Sequence, residues 1–522
     1  MKAPAKYLWL VLGGVATLLV AVVLVFALAF DPNRYKDDIE RMARERTGRT
    51  LKLQGELKLA FFPSLGASVG GVALSERGSN REFVALQSAH ASVKLMPLLH
   101  GQVIVDAVRV SGLKAQIVRN KDGTYNFSDL LEGRAEKPAP KRKDQSTPVI
   151  FDIAGVDIDR AAVAYRDMNT GQEISLSDLK LHTGRIAESA QGRIELATAD
   201  FTARLDESNI RGKLRIAGGA QPSYHFDLDI DRLNLDHYLA ASENKPDAAV
   251  DLSGLKGLNA QGQLQVGALQ VQGLKLSKLK AQLKAAGGRA EISPHSASLY
   301  EGELSGALSL DGTANRIALK ETLSNVSVGP LLRDLAHQDR LEGKGNVALE
   351  LTAAGATVST MKRSLAGAAK VRLRDGAIKG INIAELLRRA RAAAGKQSGQ
   401  AADSKERTDF SELSATFSIK NGVAHNEDLD LKSPLLRIGG SGDIDIGRST
   451  ISYLVKASVV GTTKGQGGRE RDELAGLTVP VKLDGPLDAM KYEVDYRAVA
   501  GDLAKTKVGD KVRNRLKGLI GR

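Results

Sequence analysis

Apolar and polar residues alternate along most of this chain. Phe226, Leu228 and Ile230 alternate with Asp227, Asp229 and Asp231. Leu304, Gly306, Leu308 and Leu310 alternate with Ser305, Ala307, Ser309 and Asp311. Val347, Leu349 and Leu351 follow the same rule against Ala348, Glu350 and Thr352, as do Ile444 and Ile446 against Asp443 and Asp445. Ile451, Tyr453, Val455, Ala457 and Val459 continue the pattern, and Val479, Val481 and Leu483 close it. A period of two puts successive side chains on opposite faces of a strand, so these segments predict strands with one apolar and one wetted face. Gly-containing breaks at intervals of roughly 8 to 15 residues read as hairpin turns. The fold class predicted is mainly β.

Three departures from this period predict helices. Asp31 as N-cap, Pro32 at the first helical position and Gly48 past the end bound a short helix. Pro330–His337 and Asn382–Ala394 are the other two. Too few helices are predicted to cover an apolar face that runs through so many strands. Either the sheet folds over as a sandwich or it curls into a trough with an apolar inside. An uncovered trough would expose far more than the few hundred Å² of apolar patch that soluble proteins tolerate, and would signal binding. About 30 strands at ~4.8 Å spacing would extend ~100 Å or more.

One segment is different in kind. Tyr7–Phe30 (YLWLVLGGVATLLVAVVLVFALAF) carries no charge. As a helix it spans roughly 36 Å, enough for a hydrocarbon core of about 30 Å with some tilt. Lys2, Lys6 and the small-x-small Ala27-Leu28-Ala29 would suit a cleaved signal peptide, but the run exceeds the length of a signal core. It predicts an uncleaved anchor. Arg34, Lys36, Arg41, Arg44 and Arg46 follow it closely and by themselves favour a cytoplasmic body. Long domains cross largely regardless of such charges, so charge leaves the orientation open.

Composition narrows the chemistry. Aromatics are only 4% against 42% hydrophobic residues, and Gly (53) far exceeds Pro (14), which fits short strands packed with aliphatic side chains. The absence of cysteine excludes disulfides, thiolate catalysis and cysteine-ligated metal sites. The net charge of +13 is spread out, densest in Lys505–Arg522 and in the linker RAEKPAPKRKDQSTP. No stacking-aromatic RNA-binding motif accompanies it, so nucleic acid is not the expected partner, and anionic headgroups attract such segments equally well. Val499 onward predicts a basic amphipathic helix, with a solvated terminus as the alternative.

Candidate catalytic patterns are weak. Gly66-Ala67-Ser68-Val69-Gly70 fits G-x-S-x-G, but that elbow needs a helix after the serine, and Gly71-Val72-Ala73-Leu74 continues as strand. The series Asp227, Asp229, Asp231 and Asp236 lacks the glycine and glutamate of a calcium loop, since Arg232 and Tyr238 stand there. Its alternation is the wet face of a strand. Scattered histidines form no H-x-x-x-H pair, no phosphate-binding loop is present, and Gly461–Gly468 reads as a plain loop. No catalytic residue, metal or cofactor is expected.

Several motifs in order carry a family resemblance. Asp31–Gly78 contains a DPN-x-Y-K start, Thr47-Gly48-Arg49, and Gly55 ahead of Phe62-Pro63-Ser64-Leu65-Gly66. Leu95-Met96-Pro97-Leu98-Leu99 and Asp122–Leu130 (DGTYNFSDL) follow. Asp375–Ile383 (DGAIKGINI), Thr408–Leu413 (TDFSEL) and Pro434–Gly442 (PLLRIGGSG) complete the set. The chain resembles the AsmA family over roughly 31–133 and 325–496, while 149–325 is recognisable only as β-patterned.

The resemblance implies an inner-membrane protein of Gram-negative bacteria, with cytoplasmic N-terminus and periplasmic body. It implies kinship with bridge-like lipid-transfer proteins, whose curved, taco-like antiparallel β-groove holds acyl chains. The expected organisation is residues 1–6 cytoplasmic, 7–30 transmembrane helix, 31–133 N-terminal domain, 134–148 linker, 149–325 middle groove, 326–496 C-terminal domain and 497–522 basic tail. The expected partners are phospholipid, the inner membrane through the anchor, and an outer-membrane or envelope protein. The expected role is phospholipid handling in outer-membrane biogenesis; the alternative is a scaffold or chaperone for outer-membrane protein assembly. Candidate lining residues are Phe226, Leu228, Ile230, Leu308, Leu310, Val347, Leu349, Leu351, Ile444, Ile446, Tyr453 and Val455.

Overall fold

The computed structural model describes residues 31–61, 64–99, 104–132, 152–188, 194–218, 222–238, 249–383, 400–401, 406–434, 436–460 and 478–495. The anchor segment, the linker, most of Asn382–Ala394, the Gly461–Gly468 loop and the basic tail lie outside them. Among the described residues no helix is long and apolar enough to cross a membrane. The chain divides into two compact units, Met1–Arg232 with Ala260–Gly262, and Leu233–Asn259 with Gln263–Arg522.

The first unit opens with a 3-10 turn, Pro32–Tyr35, capped by the Asp31 carboxylate on Asn33 N at 3.0 Å, which holds the Asp31 carboxyl below the usual range. Helix α1 (Lys36–Thr47) follows and stops at Gly48, whose φ of 67° suits a residue without Cβ. Then come β1 (Leu51–Leu53), β2 (Leu57–Ala60), β3 (Ser64–Ser75), β4 (Glu82–Lys94), α2 (Leu95–Leu99), β5 (Ile104–Ser111), β6 (Lys114–Arg119) and α3 (Ser128–Glu132). β7 (Asp152–Ile153), β8 (Val156–Asp167), β9 (Glu173–Thr183), β10 (Ile186–Glu188), β11 (Ile194–Leu205), β12 (Ser208–Ala217) and β13 (Ser223–Asn234) complete it. β1 and β2 share β3 as antiparallel partner. β5 and β6 run parallel to β8, so the sheet is mixed rather than wholly antiparallel as expected.

Arg49 is the hub of this unit. Its side chain is fully buried and donates to Asp129 Oδ1 and Oδ2 at 2.5 and 3.0 Å, to the Ser75 carbonyl at 3.0 Å and to the Asn126 carbonyl at 2.7 Å. It lies 5.0 Å over the Phe83 ring. Arg49 belongs to the Thr47-Gly48-Arg49 motif, and Asn126 and Asp129 to the Asp122–Leu130 motif. Two of the sequence motifs are thus one contact, and the guanidinium holds the Asp129 carboxyl below the usual range.

The second unit is a long antiparallel meander. It comprises β14 (Ala260–Val271), β15 (Leu274–Ala286), β16 (Arg289–Leu299), β17 (Gly302–Asp311), β18 (Arg316–Ser327), α4 (Val328–Ala336), β19 (Leu341–Ala354), α5 (Val358–Ser364) and β20 (Ala366–Lys379). β21 (Gln400–Ala401), β22 (Arg407–Lys420), β23 (Val423–Lys432), β24 (Leu436–Asp445), β25 (Thr450–Val459), β26 (Thr478–Pro486) and β27 (Lys491–Val494) follow. From β15 onward each long strand pairs with the next in chain order, and β21 meets β27.

The C-terminal motifs also meet. Phe410 sits where a Cβ on Gly376 would come 2.4 Å from its ring, and Thr408 Oγ1 donates to the Ile381 carbonyl at 2.7 Å while accepting from Ile383 N at 3.1 Å. DGAIKGINI and TDFSEL are therefore two sides of one packed junction.

The Arg49 cluster generates a prediction. Arg49→Met should weaken protection of the 114–132 amides by about 3 kcal/mol, because it leaves the Asp129 carboxylate and two carbonyls without their donor. Arg49→Met with Asp129→Leu should recover much of that loss. Hydrogen exchange on the three proteins checks this, and unchanged protection in Arg49→Met would remove its role as hub.

Candidate functional site

The apolar face of the second unit is continuous by register. Ile292 pairs with Leu308, Leu308 with Leu319, and Leu319 with Leu351. The adjacent row runs Leu310, Ile317, Ala353. A third runs Leu304, Leu323, Val347, Val371. Antiparallel partners directly opposite put their side chains on the same face, so these rows form one lane of aliphatic side chains.

Burial changes along this lane. At the β22–β27 end, Leu431, Ala457, Val479 and Val481 have no exposed surface, and Tyr453 and Val455 are buried beside them. Val328 and Leu331 of α4, with Ile381, Ile383 and Phe410, belong to the same core. At the β16–β19 end, Leu308, Leu310, Val347, Leu349 and Leu351 are only half-buried. Leu299, Leu323 and Val326 are nevertheless buried in that same core, so the face is closed through β22–β27 and along the row of Leu323, and half-open along the rows of Leu308, Leu310, Leu349 and Leu351.

The other candidate positions lie elsewhere. Phe226 and Leu228 are half-buried and Ile230 is buried on β13 of the first unit, opposite Leu214, Gly212 and Ile210. A Cβ on Gly212 would come 2.7 Å from both Leu228 and Phe201, so the glycine makes room for these two side chains. Ile444 is half-buried on β24. Ile446 follows the end of that strand and lines a separate cleft.

A charged pair interrupts the aliphatic lane. His295 pairs with Gly306, and Gly306 with Glu321. His295 Nε2 lies 3.0 Å from Glu321 Oε2, and Nδ1 lies 3.1 Å from the Ile292 carbonyl. The two side chains are only 9% and 14% exposed. A Cβ on Gly306 would come 2.3 Å from Glu321 Oε2, so this glycine is the gap through which the carboxylate reaches the ring. A carbonyl can only accept, so Nδ1 carries a proton, and the carboxylate at Nε2 is served when that nitrogen carries one too. The bond to Glu321 raises the His295 pKa above its ordinary value against the opposing effect of burial. Nearer the closed end, Tyr453 Oη donates to Asn426 Oδ1, Asn426 Nδ2 donates to the Thr416 carbonyl at 2.9 Å, and burial pushes the Tyr453 phenol up to about 12.

The rejected catalytic patterns can now be placed. Ser68 Oγ lies 2.8 Å from His90 Nδ1, but this is the cross-strand pairing of β3 with β4, midway along an unbroken strand. It lacks the strand-to-helix turn that exposes a nucleophile. Asp227 and Asp229 are exposed. Asp231 accepts from Asn209 N at 2.8 Å. Asp236 accepts from Gly273 N at 3.1 Å and Gln270 Nε2 at 3.1 Å. Asp231 and Asp236 each have their own local partners, and among the described residues no group of three or more metal-ligating side chains forms.

The motifs that make the Arg49 and Phe410 junctions lie within the stretch that comparison with known proteins picks out. A model of the AsmA family matches residues 1–225 and 231–429. The chain belongs to the AsmA family. Protein AsmA of Escherichia coli (strain K12) is 21% identical over 592 aligned positions, covering 94% of this chain and 94% of that one. No solved structure matches. The family match runs through the middle region and stops at residue 429, so the β-patterned stretch that carried no motif falls within it.

The His295–Glu321 pair was missed at the sequence level, although a signal existed. Glu321 is in phase with Ile317, Leu319 and Leu323, an acid in an apolar register. His295 is in phase with Ala297 and Leu299 only after the register shift that follows Ile292.

The pair makes stability depend on pH with a definite sign. A raised folded pKa contributes stability that is fully present below the ordinary value near 6.5 and is lost as pH rises through the folded value. The His295 ring should titrate above 6.5 by NMR, and Glu321→Gln should bring the midpoint down. A wild-type midpoint at or below 6.5 would show that the pair does not hold a proton in common.

Proposed function

We propose that this chain is a non-enzymatic lipid-handling protein of the Gram-negative cell envelope. Tyr7–Phe30 anchors it in the inner membrane with the N-terminus cytoplasmic and the body periplasmic. Its apolar β-face shelters phospholipid acyl chains, and it contributes to lipid transport and outer-membrane biogenesis. The observation that carries this reading is the half-buried aliphatic lane on β16–β19, continuous with a fully packed core.

The physical logic is simple. An acyl chain gains ~0.8 kcal/mol for each methylene removed from water, whichever aliphatic side chain receives it. A lane of Leu, Ile and Val with no directional chemistry suits a ligand that slides. Catalysis needs the opposite, a few polar groups converging on one point. The E. coli relative is consistent with a Gram-negative setting.

The competing reading is a scaffold that pairs strands of client proteins along a free sheet edge. In the second unit, part of the β27 edge is already taken by β21. That observation favours the face over the edge.

Photo-crosslinking amino acids at Leu308 and Leu349 discriminate the two. Phospholipid adducts are expected at both, and none at Glu350 on the wetted face. Adducts to protein alone, or no adducts at the two leucines, would refute the lipid face.

A further inference from the structure

The second unit closes by bringing distant parts of its meander together. Arg340, just before β19, donates from Nη2 to the Asp488 carbonyl between β26 and β27 at 3.1 Å. Beside this contact lies a cleft of about 680 Å³, within the range of small-molecule sites. It is separate from the lane carrying Leu308 and Leu349. Its walls come from the C-terminal end of α4, from Lys362 of α5, and from the turns at Ile446–Ser449 and Pro486–Asp488.

The cleft is a built feature. Leu487 N donates to the Ser449 carbonyl at 2.9 Å, and Ile446 N to the Gly422 carbonyl at 2.8 Å, which fixes both turns. A Cβ on Gly447 would come 3.1 Å from Arg363 Cγ, so the cationic end of α5 lies against the first turn. Apolar surface is left uncovered here. Val328 and Leu331 of α4 are buried, yet Leu335 on the same helix is 51% exposed into this region. Ile446 and Leu487 supply further apolar lining.

The charge around it is mostly positive. Lys362 and Arg448 line the cleft, with Arg340 and Arg363 adjacent, against the carboxylates of Asp488 and Asp445. Arg448 reaches Asp445 at 3.4 Å with its guanidinium 83% exposed, a contact of the weak surface kind. Lys362 is exposed and makes no ion pair with any described residue. His337 stands at the rim. Cations above an apolar floor match a molecule with an anionic head and an aliphatic body.

We propose that this cleft binds the headgroup of an anionic phospholipid. Lys362 and Arg448 take the phosphate, and Leu335, Ile446 and Leu487 pack against the glycerol and first methylenes. The inference rests on the lipid-handling reading and adds to it a headgroup class and a place.

The chain has no cysteine, so Gln338→Cys gives one labelling point in the cleft wall of the full-length protein. With an environment-sensitive dye there, dihexanoyl phosphatidylglycerol should bind saturably and about ten-fold more tightly than dihexanoyl phosphatidylcholine. Lys362→Gln with Arg448→Gln should abolish that preference. Lys362→Arg, and Lys370→Gln on the wetted face of β20, should keep it. Equal affinity for the two lipids, an unchanged preference in the double variant, or inorganic phosphate binding as tightly as the lipid would overturn the proposal. If the preference is absent while Leu308 and Leu349 still crosslink phospholipid, the headgroup site fails and the lipid face stands.

Discussion

A sheet written in strict alternation has one apolar face, and that face must be covered by something. Much of this structure follows from how incompletely its described residues do so. Among the described residues, five short helices cannot shield 27 strands. In the second unit part of the face packs into one core, and the Arg340–Asp488 contact ties the approach to β19 to the turn between β26 and β27. Leu431, Ala457, Val479 and Val481 lose all exposure there. Over β16–β19 no described segment does the same for Leu308, Leu310, Leu349 and Leu351.

This division separates a packed core from a half-exposed apolar surface. The closed end supplies a conventional core and can anchor the fold. The open end contributes less burial and is left able to receive a ligand. The single charged pair in the open lane, His295 with Glu321, shows what the face demands of a polar group. It is tolerated because Gly306 clears the space and each side chain satisfies the other. The rest of the lane is aliphatic.

The strands were legible because alternation is a property of residues two apart. Leu304–Leu310 and Val347–Leu351 needed no tertiary information. The short helix after Asp31 was legible from Pro32 and Gly48, and Pro330–His337 landed on α4. α5 was not, since VSTMKRS has no apolar period and is held by a Thr357–Thr360 capping box. The parallel pairing of β5 and β6 with β8 was not legible either, because it depends on where the chain returns after residue 120, not on any local pattern. Arg49 was legible only as a member of a motif. Its partner is 80 residues away, and a lone arginine carries no mark of burial in the sequence. The same limit hid the cleft at Leu335 and Lys362, which are brought to one place only when the sheet closes.

The central claim is that the half-buried lane on β16–β19 holds lipid when the protein is at work. Native mass spectrometry of the full chain, gently released from its membrane, tests this most directly when wild type is compared with Leu308→Asp/Leu349→Asp. The account predicts phospholipid retained by the wild type and largely lost by the variant, at equal folded content. Equal lipid on both proteins, or none on the wild type, would contradict it.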